Sequence, residues 1–180
     1  MIQFEKFEIL YRSADIQAMV HKMALAIEAA YPVSETLVCV GVLKGAWIFH
    51  ADLVRALKRP VIVDFIRAAS YGDGVYSSGT VRILKDLEVD VNGKHVLLVE
   101  EIIDSGRTLE FIQRRLAHSK ARSIKIAALL DKKERRVIPC EADFLGAEIS
   151  NDFVVGYGLD WGEKYRNLPD IYKVPREILQ

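Results

Sequence analysis

Side chains whose types and spacing could bind an anion are concentrated in one segment, at positions 96–109. The apolar run Val96–Val99 leads directly into two adjacent carboxylates, Glu100 and Glu101, and the chain continues through Asp-Ser-Gly-Arg-Thr at positions 104–108. Small residues let backbone N–H groups approach an anion closely, and the N-terminus of a helix adds partial positive charge. Because phosphates and carboxylates repel each other, acids beside a phosphate site point to a hydroxylated sugar or a divalent cation. The segment therefore predicts a phosphate-binding turn flanked by acids.

The elements around this segment indicate how such a site is positioned. Val96–Val99 is apolar on both faces, as is typical of a central parallel strand, and ligands bind outside the carboxyl ends of such strands. Strands alternate with helices along most of the chain, which predicts an α/β fold with a parallel twisted sheet flanked by helices. The predicted strands cover 36–42, 61–67, 80–84, 94–99, 124–130, 143–149 and 153–158, and the predicted helices run from an N-cap at Ser13 to Ala30, from 45 to 57 and from 107 to 118.

A stretch rich in glycine and serine interrupts this alternation at residues 68–79. It contains Gly72, Gly74 and Gly79 and is followed by a returning strand. A loop of this length inside a compact domain is typically a lid, a binding loop or disordered. We therefore expect a flexible active-site loop at about residues 69–79, carried by a long hairpin.

Length, charge and cysteine usage limit the class of protein. The 180 residues fit one domain, residues 1–180, whose last part from about Leu130 leaves the alternating pattern and predicts a small C-terminal hood. A net charge of +0 argues against a nucleic-acid-binding protein that uses a general basic face. Neither Cys39 nor Cys140 has a neighbour at metal-ligand spacing, and Cys39 is predicted to be a small buried hydrophobic residue. Since no signal peptide or membrane-length apolar run is recognisable, we expect a cytoplasmic protein without membrane partners.

The acidic segment resembles the phosphoribosyl-pyrophosphate motif of the type I phosphoribosyltransferases. In that family a strand typically ends in Glu-Asp, and the chain continues as Asp-Thr/Ser-Gly-Lys/Arg-Thr. Glu101 stands where the family typically has Asp, so its carboxylate extends further from the backbone. The resemblance implies that Glu100 and Glu101 bind the ribose hydroxyls, directly or through metal. It also implies that the phosphate is held by the turn residues Ser105, Gly106, Arg107 and Thr108.

Further segments narrow the resemblance to the hypoxanthine-guanine phosphoribosyltransferases, whose motif order they keep over nearly the whole chain. In that family a Leu-Lys peptide of the first active-site loop can be cis, and its amide contacts pyrophosphate. This places Leu43, Lys44 and Gly45 among the binding residues. The matching segments are 42–46 (first active-site loop), 64–67 with Ser70 and Tyr71 (start of the mobile loop), 129–132 (purine-binding lysine) and 153–168 (base and pyrophosphate motif).

The narrower resemblance implies a role for each matching side chain. Lys132 donates a hydrogen bond to the 6-oxo group of the purine, Phe153 stacks on the base, and Val154 offers backbone groups to the base edge. Asp160 holds a metal bound to pyrophosphate oxygens, and Arg166 counters the pyrophosphate charge, for which a guanidinium fork is suited.

The implied reaction is displacement at the anomeric carbon of the ribose. Asp104 is placed to handle the purine N7 proton as general base or acid. The resemblance implies Mg²⁺ as cofactor, acting as template and Lewis acid for the leaving group, with Glu100, Glu101 and Asp160 as candidate ligands.

Two alternatives stay open at this level. One is a homologue that prefers xanthine, and the other is a phosphoribosyltransferase-like regulator that binds phosphoribosyl pyrophosphate as an effector and controls gene expression through RNA or DNA. The neutral charge and the base-binding segment around Lys132 and Phe153 argue against the regulator. We expect phosphoribosyl pyrophosphate and a purine base as ligands, no nucleic acid, and a homodimer or homotetramer.

Overall fold

Nine strands and three α-helices make up the described part of the chain, which in this computed structural model is residues 6–70 and 81–179. None of the helices in those residues is long and apolar enough to cross a membrane. In chain order the elements are β1 (Glu8–Tyr11), α1 (Ser13–Ala30), β2 (Leu37–Val42), α2 (Trp47–Ala56), β3 (Val61–Ser70), β4 (Val81–Lys85), β5 (His95–Ile103), α3 (Arg107–His118), β6 (Ser123–Asp131), β7 (Phe144–Glu148), β8 (Phe153–Val155) and β9 (Ile171–Val174).

The central sheet has six strands in the order β4-β3-β2-β5-β6-β7. All neighbours in it are parallel except β3 and β4, which form an antiparallel hairpin. The predicted α/β fold with a mainly parallel sheet is therefore confirmed.

The two central strands, β2 and β5, have an apolar layer on each face. Leu97 and Val99 pack with residues of α1 and α2, whereas Val96 and Leu98 pack with the apolar face of α3. This arrangement explains why the sequence of β5 does not alternate, since both of its faces are withdrawn from water. Cys39 of β2 is fully buried, as predicted, and burial raises the pKa of its thiol to about 12.

Two strands extend further than the sequence indicated. β5 continues to Ile103, so Glu100 and Glu101 lie within the strand and not beyond its end, because β6 keeps pairing alongside it. β3 continues to Ser70, because β4 pairs with its last residues. The predicted loop 69–79 therefore begins too early, and its remaining positions lie outside the described residues.

The N-termini of two helices also differ from the prediction. α2 begins at Trp47 and not at position 45, because residues 43–46 form a separate turn. α1 is capped by Arg12 and not by Ser13, and the Arg12 backbone N–H donates to the Asp15 carboxylate at 3.0 Å.

The predicted hood is a three-stranded antiparallel sheet with the order β1-β9-β8. Its strands β1 and β9 were not predicted, and β1 comes from the N-terminal end of the chain. The third strand, β8, ends at Val155 and not at position 158, because Gly156 and Tyr157 have positive φ angles of 98° and 50° and leave the strand conformation.

Candidate active site

The turn between β5 and α3 is held in place by the segment that follows β6. The carbonyl of Ser105 accepts hydrogen bonds from the backbone N–H groups of Val137 and Ile138, both at 3.0 Å. Gly106 has a φ of 82°, and a Cβ at this position would lie 2.5 Å from the Ile138 carbonyl oxygen. Glycine is therefore required here by both conformation and space.

A cavity of about 230 Å³ lies at the carboxyl end of β5. It brings together most of the predicted phosphate and sugar residues, although Arg107, the first residue of α3, does not line it. The predicted binding residues on its wall are Leu43, Glu100, Glu101, Asp104, Ser105, Gly106 and Thr108.

A second cavity, of about 200 Å³, contains the predicted base-binding residues. It shares Glu101, Ile102 and Asp104 with the first cavity, so the two compartments meet at the end of β5. Its other lining residues are Lys132, Phe153, Val154, Leu159 and Asp160.

The side chains of the second cavity offer a cation, an aromatic ring and a backbone edge. Lys132 is buried, and this burial lowers the pKa of its amine against the opposing effect of the Asp104 charge. Phe153 is 37% exposed, and its ring lies 6.3 Å from that of Trp161 in an edge-on arrangement. Val154 is buried within β8. A flat aromatic ligand with an acceptor atom suits this set of groups.

Of the two adjacent acidic residues of β5, Glu100 is buried and Glu101 is partly buried. Burial raises the pKa of Glu100, and the neighbouring Glu101 charge raises it further. Burial also raises the pKa of Glu101, while the charge of Arg166 opposes the shift. The Oε2 atom of Glu101 is buried without a hydrogen-bond partner among the described residues. This buried oxygen is therefore a hard ligand atom with no partner in the described chain, and the residue that carries it lines both cavities.

The Glu101 side chain packs directly against the first loop. An ideal Cβ at Gly45 would lie 1.7 Å from Oε1 and 2.1 Å from Cδ of Glu101. Because Gly45 has no side chain, the Glu101 carboxylate can occupy this position.

The first loop connects β2 with α2 and contacts the hood. The Leu43–Lys44 peptide is cis, as the resemblance suggested, and the Leu43 N–H donates to the Ile66 carbonyl at 2.9 Å. Gly158 of the hood has a φ of 102°, and a Cβ there would lie 2.0 Å from the Gly45 carbonyl oxygen. The backbones of the loop and the hood thus approach each other closely.

Arg166 and Asp160 form an ion pair at the rim of the hood. The Arg166 Nη2 lies 2.8 Å from the Asp160 Oδ1, and Nη1 donates to the Gly158 carbonyl at 2.8 Å. The Nε of Arg166 is buried and has no partner within the described chain. The guanidinium is therefore fixed in position and keeps an unused donor.

The candidate metal ligands Glu100, Glu101 and Asp160 do not form a ready-made metal cluster. Among residues 6–70 and 81–179, no group of three or more His, Cys, Asp or Glu side chains has a metal-binding arrangement. The donor set still fits Mg²⁺, because the orphaned Glu101 oxygen is a hard ligand and Mg²⁺ takes few protein ligands, completing its shell with water and substrate oxygens.

Charged residues that the sequence analysis did not assign lie beside Asp104. The Nε of Arg135 is 2.9 Å from the Asp104 Oδ1, and Arg136 donates to the Asp104 carbonyl at 3.1 Å while pairing with the buried Asp131. The sequence signal was the charged run from Lys132 onward, which resembled a solvated surface.

Two further predicted binding residues are Ser70, the last residue of β3, and Tyr71, which follows it in the sequence. The Ser70 backbone ends β3, but its side chain and the whole of Tyr71 lie outside the described residues.

The chain is similar to proteins of one family over nearly its whole length. A family model for the phosphoribosyl transferase domain matches residues 10–161. The hypoxanthine-guanine phosphoribosyltransferase of Aquifex aeolicus (strain VF5) is 49% identical over 173 residues, which are 96% of this chain and 97% of that protein. The enzyme of the same name from Bacillus subtilis (strain 168) is 42% identical over 171 residues, 95% of this chain and 94% of that one.

Solved structures agree with the sequence comparison. A crystal structure of a hypoxanthine phosphoribosyltransferase from Staphylococcus aureus superposes with a TM-score of 0.93 at 38% identity, covering 100% of this chain and 98% of that one. A Trypanosoma cruzi hypoxanthine phosphoribosyl transferase, studied for the effect of its C-terminal region on oligomeric state and activity, gives a TM-score of 0.89 at 39% identity, covering 97% and 95%.

Proposed function

Since the chain belongs to the phosphoribosyltransferase family, we propose that it transfers the 5-phosphoribosyl group of phosphoribosyl pyrophosphate to hypoxanthine or guanine. The products are IMP or GMP and pyrophosphate, as in purine salvage. The observation that carries the proposal is the pair of cavities that meet at Glu101 and Asp104. One cavity offers a phosphate-binding turn and acids, and the other offers a lysine, an aromatic ring and a backbone edge.

The base binds in the second cavity in this proposal. Lys132 donates to the purine 6-oxo group, Phe153 stacks on the ring, and Val154 supplies backbone groups to the base edge. Because Lys132 is buried, its hydrogen bond faces little competition from water. An oxo group at position 6 accepts from an ammonium, whereas the amino group of adenine does not, so Lys132 favours oxopurines.

The sugar and its phosphate bind in the first cavity. The backbone N–H groups and hydroxyls of the turn from Ser105 to Thr108, with Gly106 and Arg107 between them, hold the phosphate at the N-terminus of α3. Glu100 and Glu101 face the ribose hydroxyls. The reacting carbon then lies where the two cavities meet.

At this junction the purine N9 forms a bond to the anomeric carbon, and the bond to the pyrophosphate oxygen breaks with its electron pair on pyrophosphate. Asp104 takes the proton that the purine releases at N7. The amide of the Leu43–Lys44 peptide and the backbone of Gly45 contact the departing pyrophosphate. The side chains of Lys44 and Arg166 balance its charge. Positions Ser70 and Tyr71 are proposed to complete the site.

Glu100, Glu101 and Asp160 would hold Mg²⁺ together with substrate oxygens. When bound, Mg²⁺ supplies charge neutralisation and orientation of the leaving group. The cytoplasmic location and the homodimer or homotetramer remain predictions.

Steady-state turnover with phosphoribosyl pyrophosphate, Mg²⁺ and a panel of hypoxanthine, guanine, xanthine and adenine tests the proposal. We expect turnover with hypoxanthine or guanine and none with adenine. Xanthine as the best substrate would support the xanthine-preferring alternative. Binding of phosphoribosyl pyrophosphate without turnover of any base would refute the proposed transferase activity and support the regulator alternative.

A further inference from the structure

Glu163 contacts two cations of the proposed pyrophosphate subsite. Its Oε2 is 2.7 Å from the Nζ of Lys44 and 3.3 Å from the Nη2 of Arg166. Both cations were assigned to pyrophosphate in the proposed function, one from the first loop and one from the hood. A single carboxylate therefore bridges the two cations that the leaving group would use.

The local charge balance makes this acid unexpected. Lys44 and Arg166 contribute two positive charges, and Asp160 and Glu163 contribute two negative ones, so the four side chains together are neutral. Asp160 has a proposed role toward Mg²⁺, which would offset its charge. Glu163 has no proposed role toward Mg²⁺. Hydrogen bonds from Lys44 and Arg166 lower the pKa of its carboxyl group.

The backbone holds Glu163 in this position. Its φ is 66°, in the left-handed region, and its N–H donates to the Asp160 Oδ2 at 2.9 Å. A non-glycine residue keeps such a conformation only where its surroundings impose it, as they often do at ligand-binding loops. The ion pairs themselves are solvated, because the Glu163 side chain is 62% exposed and that of Lys44 is 42% exposed. Such pairs are weak and are exchanged easily for a stronger anion.

We propose that Glu163 is an internal counter-anion of the pyrophosphate subsite. It is a positioning residue that occupies Lys44 and Arg166 between turnovers and competes with pyrophosphate for them. The inference rests on the proposed function. Because the acid has to release both cations when the ligand binds, it weakens the binding of pyrophosphate and favours its release as product.

Calorimetric titration of the protein with magnesium pyrophosphate tests this inference in the Glu163→Gln variant. Because the variant no longer competes for Lys44 and Arg166, we expect about fivefold tighter binding of pyrophosphate. The KM for phosphoribosyl pyrophosphate should fall by a similar factor, while the KM for the purine and the melting temperature stay unchanged. A purely structural role would instead lower the melting temperature and raise both KM values.

A matched control is Glu88→Gln, which removes another exposed carboxylate. Glu88 pairs with Lys85 at 3.1 Å and not with Lys44 or Arg166, so its removal should leave pyrophosphate binding unchanged. Glu163→Ala is a second test variant and should also bind pyrophosphate more tightly. If the wild-type protein binds pyrophosphate and neither Glu163 variant binds it more tightly, the inference is wrong and the proposed function stands. If the wild-type protein binds none, the proposed function is wrong as well.

Discussion

The packing of Glu101 against Gly45 leads to a quantitative prediction for Gly45→Ala. The new Cβ would lie 1.7 Å from Oε1 and 2.1 Å from Cδ of Glu101. Since carbon atoms pack at about 3.5–4.0 Å, the carboxylate has to retreat by about 2 Å. The end of a glutamate side chain can rotate, so we expect a moderate cost of about 1–2 kcal/mol for the changed rotamer and local overpacking.

The same substitution should be harmless once the carboxylate is removed. In a Glu101→Ala background, the three atoms nearest to the new Cβ, all from the Glu101 carboxylate, are gone. Gly45→Ala then lowers the entropy of the unfolded chain, so it should be neutral or add about 0.4–1 kcal/mol of stability. The double-mutant cycle should therefore show an interaction energy of at least about 1 kcal/mol between the two positions.

Urea unfolding of the four proteins of the cycle measures this energy. In thermal unfolding, Gly45→Ala alone should lower the melting temperature by about 2–8 °C, given about 2–4 °C per kcal/mol for a chain of this size. Gly146→Ala is a suitable control, because its Cβ would lie 2.5 Å from the Leu129 carbonyl oxygen, a backbone clash that Glu101→Ala does not relieve. Equal costs of Gly45→Ala in both backgrounds, within about 0.5 kcal/mol, would refute the contact.

Three further substitutions test the site and the core. Asp104→Asn should leave the melting temperature and both KM values near those of the wild type and lower kcat by about 10²–10⁴ in steady-state assays, and near-normal turnover would contradict its role in proton transfer. Lys132→Ala should raise the KM for the purine far more than that for phosphoribosyl pyrophosphate, whereas equal changes in both would count against a base contact. Burial lowers the pKa of His50, whose Nε2 is hydrogen-bonded to the Cys39 carbonyl at 3.1 Å. The unfolded chain therefore binds the extra proton first, and the free energy of unfolding should fall as pH drops below about 6.5. His50→Gln should reduce that slope in urea titrations at several pH values, while the exposed His21→Gln should not.

The local pattern of the chain was enough to predict the strand, turn and helix that carry the acids. A strand buried on both faces needs a continuous apolar run, and a turn that lets backbone N–H groups face an anion needs small residues. Both requirements concern residues that are neighbours in sequence. The strand with Val96–Val99 and the turn with Gly106 could therefore be predicted from the sequence alone. The central sheet follows from the same kind of pattern repeated along the chain.

Element ends and the hood depended on distant pairing. β5 includes Glu100 and Glu101 because β6 continues beside it, and β1 exists as a strand because it pairs with β9 at the other end of the chain. A strand of four residues leaves only a weak pattern of its own, and its hydrogen bonds are satisfied by a partner that the sequence does not identify.

The sequence by itself determined the types of the groups that do the chemistry, and the tertiary structure decided which of them meet. Glu101 packs on Gly45, Arg135 pairs with Asp104, and Lys44 reaches Glu163 across 119 positions of the chain. Each contact joins residues from different elements, and its distance is set by how β5, the first loop and the hood pack together. Such packing cannot be recognised from runs of charged residues or single glycines in the sequence. Charged residues are common on solvated surfaces, and glycines are common in ordinary turns.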